Sequence, residues 1–392
     1  MRKRSFTVLR NVAHGANDIY WFILPPLLPV ILAQYNLNYG AAGGLLTAYL
    51  GTIAIFSFIL GKVSDNMPRQ RVLGAGFLVA SVSLILAGFM GSLPFFILFL
   101  LVAGIGVSSF HPAVYASIDE TTVSGHGSEY GMFEFWGSVG VFIMFLLHGL
   151  LLREMNWKMI IMLTSVPGLV VGSFYFRYRK LLGKNDLPQV KQDSAGDSEN
   201  RSVFSFVLLL LVVMLRFLGM IAIVNFIPTY LVREFGLDPS LASFATGIYF
   251  LGGLIFTPLA GKLSDRWGPF QVLVLITGLT SPFIFLLSTP SPIWAVLLFI
   301  FPIGACHTAA QPAQNMLIAR LGSMIGKGEA FGYVTAAIAV TSSFSPLLFG
   351  AAADRVGLRL SIRLFSLPVL LSFILLVALW FFYDRRAPVS GK

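Results

Sequence analysis

The residues best suited to chemistry in this chain sit where the surrounding sequence is apolar. His14, Asn17, Asp18 and Trp21 recur at intervals of three and four, which places them on one face of a helix. Asp18 lies about ten residues into an apolar run, or ~15 Å at the helical rise, close to the middle of a bilayer. His111 precedes Pro112 and Tyr115, and Glu134 stands among Phe133, Phe135 and Trp136. Arg216 is the one basic residue inside a long apolar stretch. Histidine exchanges protons near neutral pH, and carboxyl groups in apolar surroundings can join it. A guanidinium facing a carboxylate stabilises the charged form. The chemistry these types offer is proton exchange and ion pairing at bilayer depth, where an ionisable group costs at least ~2.5 kcal/mol and is a functional candidate by default.

Enzymatic chemistry is not expected. His14 and Asp18 have the look of a catalytic His/Asp pair, but they lie inside an apolar run. No nucleophile elbow, phosphate-cradling glycine loop or cofactor motif accompanies them. One cysteine, Cys306, and five histidines cannot build a standard structural zinc site. No catalytic residue, metal or cofactor is therefore expected, and with no nucleotide loop any work must draw on a gradient.

The elements that position these residues are membrane helices. Only 11% of the 392 residues are charged and 56% are hydrophobic, against about 25% charged in soluble domains. That excludes a set of soluble domains, a disordered chain and a disulfide-stapled secreted domain. A crossing needs about 20 apolar residues. Twelve runs meet this, at roughly 8–33, 43–63, 72–90, 94–117, 130–152 and 159–177, then 204–232, 241–262, 270–288, 293–318, 329–351 and 361–383. They are continuous rather than alternating, which excludes a membrane β-barrel. The expected fold is an all-α polytopic membrane protein of two six-helix bundles. With the N-terminus inside, 20 Lys and Arg fall on inner segments and six on outer ones, so both termini are expected in the cytoplasm. The same bias explains the net charge of +10 without a nucleic-acid partner. The polar stretch 179–202 reads as a linker between a bundle at 1–178 and a second at 203–392.

The halves repeat at an offset near 200 residues. Gly61-Lys-Val-Ser-Asp65 returns as Gly261-Lys-Leu-Ser-Asp265, Tyr49 as Tyr249, and Pro112-Ala113 as Pro312-Ala313. Such parallel halves are a transporter device that allows a central site to be exposed to each side in turn. In this register Gln311 aligns with His111 and is a candidate to hydrogen-bond a solute. Arg216 aligns with Asn17 through the Pro29/Pro228 match.

The loop Gly61, Asp65, Arg69, Arg71 and its second copy Gly261, Asp265, Arg266 resemble the Gly-x-x-x-Asp-x-x-x-Arg signature of the major facilitator superfamily. His14-Gly-Ala-Asn17-Asp18 and Ser109-Phe110-His111-Pro112 resemble the fosmidomycin resistance group of efflux carriers within it. Met144-Phe145 stand where drug antiporters tend to have Gly-Pro, and no basic residue lies between Phe99 and Gly106. The resemblance implies that spans 1, 4, 7 and 10 line a cavity. An Asp18–Arg216 pair across the halves then follows, as a fixed bridge or as a proton switch. A His111–Glu134 proton relay is a second expectation; packing beside the Pro112 kink and an interfacial position are the alternatives for these two. Asp65 and Asp265, with their neighbouring basic residues or a helix N-terminus, are expected to gate the cytoplasmic side. Trp21, Trp136 and Tyr249 are placed near the cavity, with core packing as the alternative. His148 and His307 read as packing residues, and Glu129 as a solvated loop residue.

The function expected is proton-coupled efflux of a small organic compound from a cell membrane, the inner membrane in a bacterium. The partners are lipid, solute and protons, and the protein acts as a monomer. Alternatives are uptake of an organic anion held by Arg216, or a non-transporting sensor or scaffold on the same fold.

Overall fold

The computed structural model describes residues 2–121, 126–177, 203–322 and 327–384. The expected linker, 179–202, lies outside them. Every regular element among the described residues is helical. Eleven runs are long and apolar enough to cross a bilayer, and the last, Gly332–Phe382, spans 51 residues. As one helix it would reach ~76 Å, more than twice the ~30 Å of hydrocarbon. It breaks at Gly357, where φ is 81° and ψ 162°, a conformation open to glycine because it has no Cβ. That makes two crossings, and twelve in all.

The first bundle contains α1 (Arg2–Trp21), a 3₁₀ turn (Pro25–Leu27), α2 (Leu28–Tyr35), α3 (Tyr39–Asn66), α4 (Arg69–Phe89), α5 (Leu93–Val107), α6 (Phe110–Thr121), α7 (His126–Leu151), α8 (Trp157–Thr164) and α9 (Val166–Arg177). The second contains α10 (Val203–Phe235), α11 (Pro239–Trp267), α12 (Pro269–Leu287), α13 (Ile293–Leu321) and α14 (Lys327–Asp384). Large apolar side chains such as Phe89, Phe95, Leu98, Leu298 and Phe381 stay exposed, as a lipid-facing surface requires. The face where α1 begins is called near, and the opposite face far.

Prolines shape the spans that carry the chemistry. Pro25, Pro26 and Pro29 supply no N–H, so span 1 ends as α helix at Trp21, passes through one 3₁₀ turn and resumes as α2. In span 4, the ring of Pro112 crowds the carbonyl four residues back, that of Ser108, where α5 gives way to α6. The freed carbonyl accepts from Ser57 Oγ at 3.2 Å. Backbone breaks at membrane depth are tolerated when protein groups satisfy them in this way. Span 6 breaks similarly, and the Tyr20 hydroxyl donates to Ser165 O at 2.7 Å while accepting from Gly168 N at 2.8 Å.

The halves meet along two seams, α7 against α11 and α3 against the part of α14 before Gly357. Both rely on glycine. A Cβ on Gly261 would strike Gly127 O, and one on Gly43 would strike Pro346 O. At the far face the Pro25–Tyr35 segment of span 1 packs on α10 and α11, whereas α1 packs on α7 and α9 of its own half. Asp354 also binds across the seam, its carboxylate oxygens accepting from Tyr39 N at 2.9 Å and Gly40 N at 2.8 Å. The far face is thereby sealed.

Candidate functional site

Two polar clusters lie in the interior, one in each half. In the first, α1 contributes His14, Asn17, Asp18 and Trp21, α6 contributes His111 and Tyr115, and α7 contributes Phe133 and Glu134. His14 is buried, stacks on Phe133 with ring centroids 3.7 Å apart, and donates from Nδ1 to Phe133 O at 2.8 Å. That bond commits Nδ1–H and aims Nε2 at Asp18 Oδ2, 3.2 Å away. His111 Nε2 lies 3.4 Å from Asp18 Oδ1 and 3.3 Å from His14 Nε2. Asn17 Nδ2 approaches His111 Nδ1 at 3.4 Å, and Trp21 meets the His111 ring edge-on at 5.4 Å. Gly137 makes room, because a Cβ there would overlap Asp18 Oδ2.

The ligand atoms of His14, Asp18 and His111 all lie within 4.8 Å of one another. The cysteine and histidine count suggested no metal site. That reasoning overlooked a set needing no cysteine, two imidazoles and a carboxylate brought together by α1 and α6.

The Asp18–Arg216 pair is not formed. Asp18 is held by the two histidines, and Arg216 is held within the second half. There its Nη1 donates to His307 O at 3.2 Å and its Nη2 to Gln314 Oε1. The Tyr249 hydroxyl sits 2.7 Å from His307 Nδ1, and Gln311 accepts from Gln314 Nε2 at 3.3 Å. Arg216 is only 2% exposed, and no carboxylate pairs with it among the described residues. Two members of this cluster were not singled out for it. His307 read as a packing residue, and Gln314, three residues past the favoured Gln311, carried no separate signal.

His111 and Glu134 do not touch directly either. Tyr115 stands between them, its ring stacked on His111 at 5.7 Å and its hydroxyl donating to Glu134 Oε1 at 2.6 Å. Trp136 meets Phe135 edge-on at 5.9 Å, and its carbonyl packs beside Gly15 of α1, 2.9 Å from where a Cβ there would lie. Toward the near face, Arg10 is buried and paired with Glu129 at 3.2 Å. Glu129 is therefore a partner of span 1 rather than a free loop charge.

Of the expected near-face gate, Asp265 makes the clearest contacts. It accepts from Gly127 N at 3.2 Å, Ser128 N at 3.1 Å and Ser128 Oγ at 2.7 Å. It thus caps the start of α7, an anion at a helix N-terminus, and reaches across the halves to do so. Arg266 is exposed beside it. Gly261 packs against α7, whereas Gly61 faces Pro112, whose Cβ would lie 3.4 Å from a Cβ at Gly61. Arg69 and Arg71 open α4. The side chain of Asp65 lies outside the described residues.

Residues 12–211 and 209–392 match the Major Facilitator Superfamily. The Fosmidomycin resistance protein of Escherichia coli is 22% identical over 391 residues, covering 94% of this chain and 92% of that protein. The MFS-type transporter YceJ of Bacillus subtilis is 34% identical, but over 97 residues, 25% of each chain. Among solved structures, a bacterial homolog of the human lysosomal transporter Spinster, in an inward-facing and occupied conformation, superposes with a TM-score of 0.77. It is 13% identical and covers 99% of both chains.

Proposed function

The chain belongs to the Major Facilitator Superfamily, and from that premise we propose that it exports a small organic solute in exchange for protons, by alternating access. The observation that carries the reading is an interior polar cluster in each of two halves that are sealed together at one face. A solute held between the clusters would meet polar and aromatic partners from both halves, His14, Asn17, Asp18, Trp21 and His111 from the first and Arg216, Tyr249 and Gln311 from the second. Rocking about the α3–α14 and α7–α11 seams then exposes it to either side. The near face is the cytoplasmic one, with both termini inside, and the protein works as a monomer. Gly61, Asp65, Arg69, Arg71, Gly261, Asp265 and Arg266 form the gate at that face.

Glu134 is the proton carrier in this reading. It has the Tyr115 hydroxyl as a donor and no cation partner among the described residues. A half-buried carboxylate without a cation is costly, and binding a proton removes that cost. The titratable groups nearest it are His14 and Asp18 on α1 and His111 and Tyr115 on α6. Export is favoured over uptake because a full-length relative bears the name of a resistance protein.

A susceptibility screen over drugs and toxic metabolites, in cells with and without the gene, tests the direction. Protection against at least one compound, lost in Glu134→Gln with the protein still in the membrane, supports the reading. Sensitisation by the intact protein would overturn it in favour of uptake. The buried guanidinium of Arg216, bonded to neutral acceptors alone, favours that second reading, in which an organic anion is the cargo.

A further inference from the structure

We propose that His14, Asp18 and His111 form a binding site for one divalent transition-metal ion, with an open coordination position facing the cavity. The inference rests on the transport reading only in calling the space around the site a cavity; the site itself stands on its donor geometry. A tetrahedral ion with bonds of about 2.0–2.1 Å to nitrogen and oxygen requires donor atoms about 3.4 Å apart. The three edges here are 3.2 Å for His14 Nε2 to Asp18 Oδ2, 3.3 Å for His14 Nε2 to His111 Nε2, and 3.4 Å for His111 Nε2 to Asp18 Oδ1. With one oxygen of Asp18 chosen, the three donor atoms lie within 4.8 Å of one another, so a small turn of the Asp18 carboxylate brings them onto one face of a tetrahedron.

The outer contacts suit ligation as well. Metal-bound histidines donate their second ring N–H to a carbonyl or carboxylate, which fixes tautomer and orientation. His14 does so to Phe133 O, and stacking on the Phe133 ring holds its plane. With Nδ1–H committed, neutral His14 presents a lone pair at Nε2, directly opposite a carboxylate oxygen. Two acceptors so placed attract a cation between them. The Asn17 amide lies beside His111 Nδ1, and turning the amide end for end presents its oxygen to an Nδ1–H there. That proton position frees His111 Nε2 for a metal.

Access and room are also present. The side chains of Asp18 and His111 are 17% and 18% exposed, so the triangle can be reached, and His14 closes it from behind. The missing side chain of Gly137 keeps the space beside Asp18 clear. Two imidazoles and one carboxylate suit zinc, cobalt, nickel or copper rather than magnesium or calcium, which prefer all-oxygen sets. Three protein donors with one position left over is the pattern of sites that exchange a fourth ligand. All three donors belong to the first half, so an ion held there moves with that half as one body.

The test uses full-length protein, purified in detergent without a histidine tag and titrated with Co²⁺ and Zn²⁺. The expected result is saturable binding of one Co²⁺ per chain, with visible absorption bands of a tetrahedral site that Zn²⁺ abolishes. His14→Gln and His111→Gln should each weaken binding at least ~10-fold, the range a lost ligand shell contact produces. His148→Gln, which removes a buried histidine bonded to Thr164, should leave it unchanged. His111→Cys keeps a ligand and should add a sulfur-to-cobalt charge-transfer band, which appears only if residue 111 contacts the ion. A monodisperse elution profile identifies the variants that fold. Absence of a saturable cobalt spectrum in the intact protein overturns the site. So does equal affinity in folded His14→Gln and His111→Gln, or a His111→Cys variant that binds cobalt with no sulfur band. Each of these outcomes is independent of transport, so failure of the export reading is seen separately.

Discussion

The Tyr115 hydroxyl donates to Glu134 Oε1 at 2.6 Å while the Tyr115 ring stacks on His111. One phenol therefore joins the carboxyl on α7 to the histidine cluster on α1 and α6. If Glu134 carries the proton, Glu134→Gln abolishes pH-driven transport but leaves solute exchange between equal concentrations. Tyr115→Phe removes one hydrogen bond to a charged group, worth roughly 1.5–3 kcal/mol, and shifts the pH dependence without abolishing coupling. The sign follows from antiport. Inside-out vesicles with an acidic lumen accumulate solute, and collapse of the gradient stops them. Fluorescent or radiolabelled solute uptake checks both variants.

Asp354 caps α3 across the far-face seam through two backbone N–H groups. Losing such a cap costs ~0.5–2 kcal/mol, and an exposed carboxylate belongs at the low end. Asp354→Ala is therefore expected to shift the population toward far-face opening by a few-fold rather than unlock it. Spin-label distances between the far ends of α3 and α14 measure that shift. An unchanged distance distribution would show that the glycine contacts, Gly43 against Pro346 and Gly350 against Tyr39, hold the seam alone.

Arg216 forks onto His307 O and Gln314 Oε1. Lysine keeps the charge but not the fork. Arg216→Lys is expected to lower solute transport at least ~10-fold with normal insertion, and Gln314→Ala to lower it less, since the backbone acceptor remains. Initial rates in proteoliposomes, normalised to protein, decide this.

Tyr20 is a structural hub. Its hydroxyl contacts Ser81 Oγ, Ser165 O and Gly168 N, all buried. Tyr20→Phe takes the acceptor from Gly168 N–H at the span 6 break, at ~1–3 kcal/mol, while Ser165 O keeps its bond from Leu169 N at 3.2 Å. A lowered thermal unfolding midpoint in detergent, with solute affinity retained, is the expected outcome.

The architecture was legible in the sequence because apolar runs and a 200-residue charged repeat survive without knowledge of any contact. Span 12 follows span 11 after a short connection, 352–360, marked in the sequence by Asp354, Arg355, Gly357 and Arg359. The cluster residues were legible as isolated polar groups in apolar runs. Their pairings were not, because helix rotation and crossing decide which side chains meet, and neither is written in a period of 3.6. Asp18 was matched to Arg216 on charge, depth and the repeat register, yet α1 lies on its own half and two nearby imidazoles satisfy it. Glu129 read as a solvated loop residue, and packing of α1 on α7 paired it with Arg10 instead. Tyr20 gave no signal at all, since a tyrosine in an apolar run looks like any other aromatic.

The interruption of span 1 divides labour along a single crossing. Its first rod carries the imidazoles' carboxylate partner and rests on its own half, while its last eleven residues plug the opposite half's far rim. Any parting of that rim must pull on a short joint, Phe22 to Leu24, one residue removed from Trp21 and four from Asp18. Opening the far face and disturbing the ligand triangle are thus mechanically linked through three residues. A stiffer joint would transmit that tug more faithfully, and a looser one would let the rim open while the triangle stayed unaware.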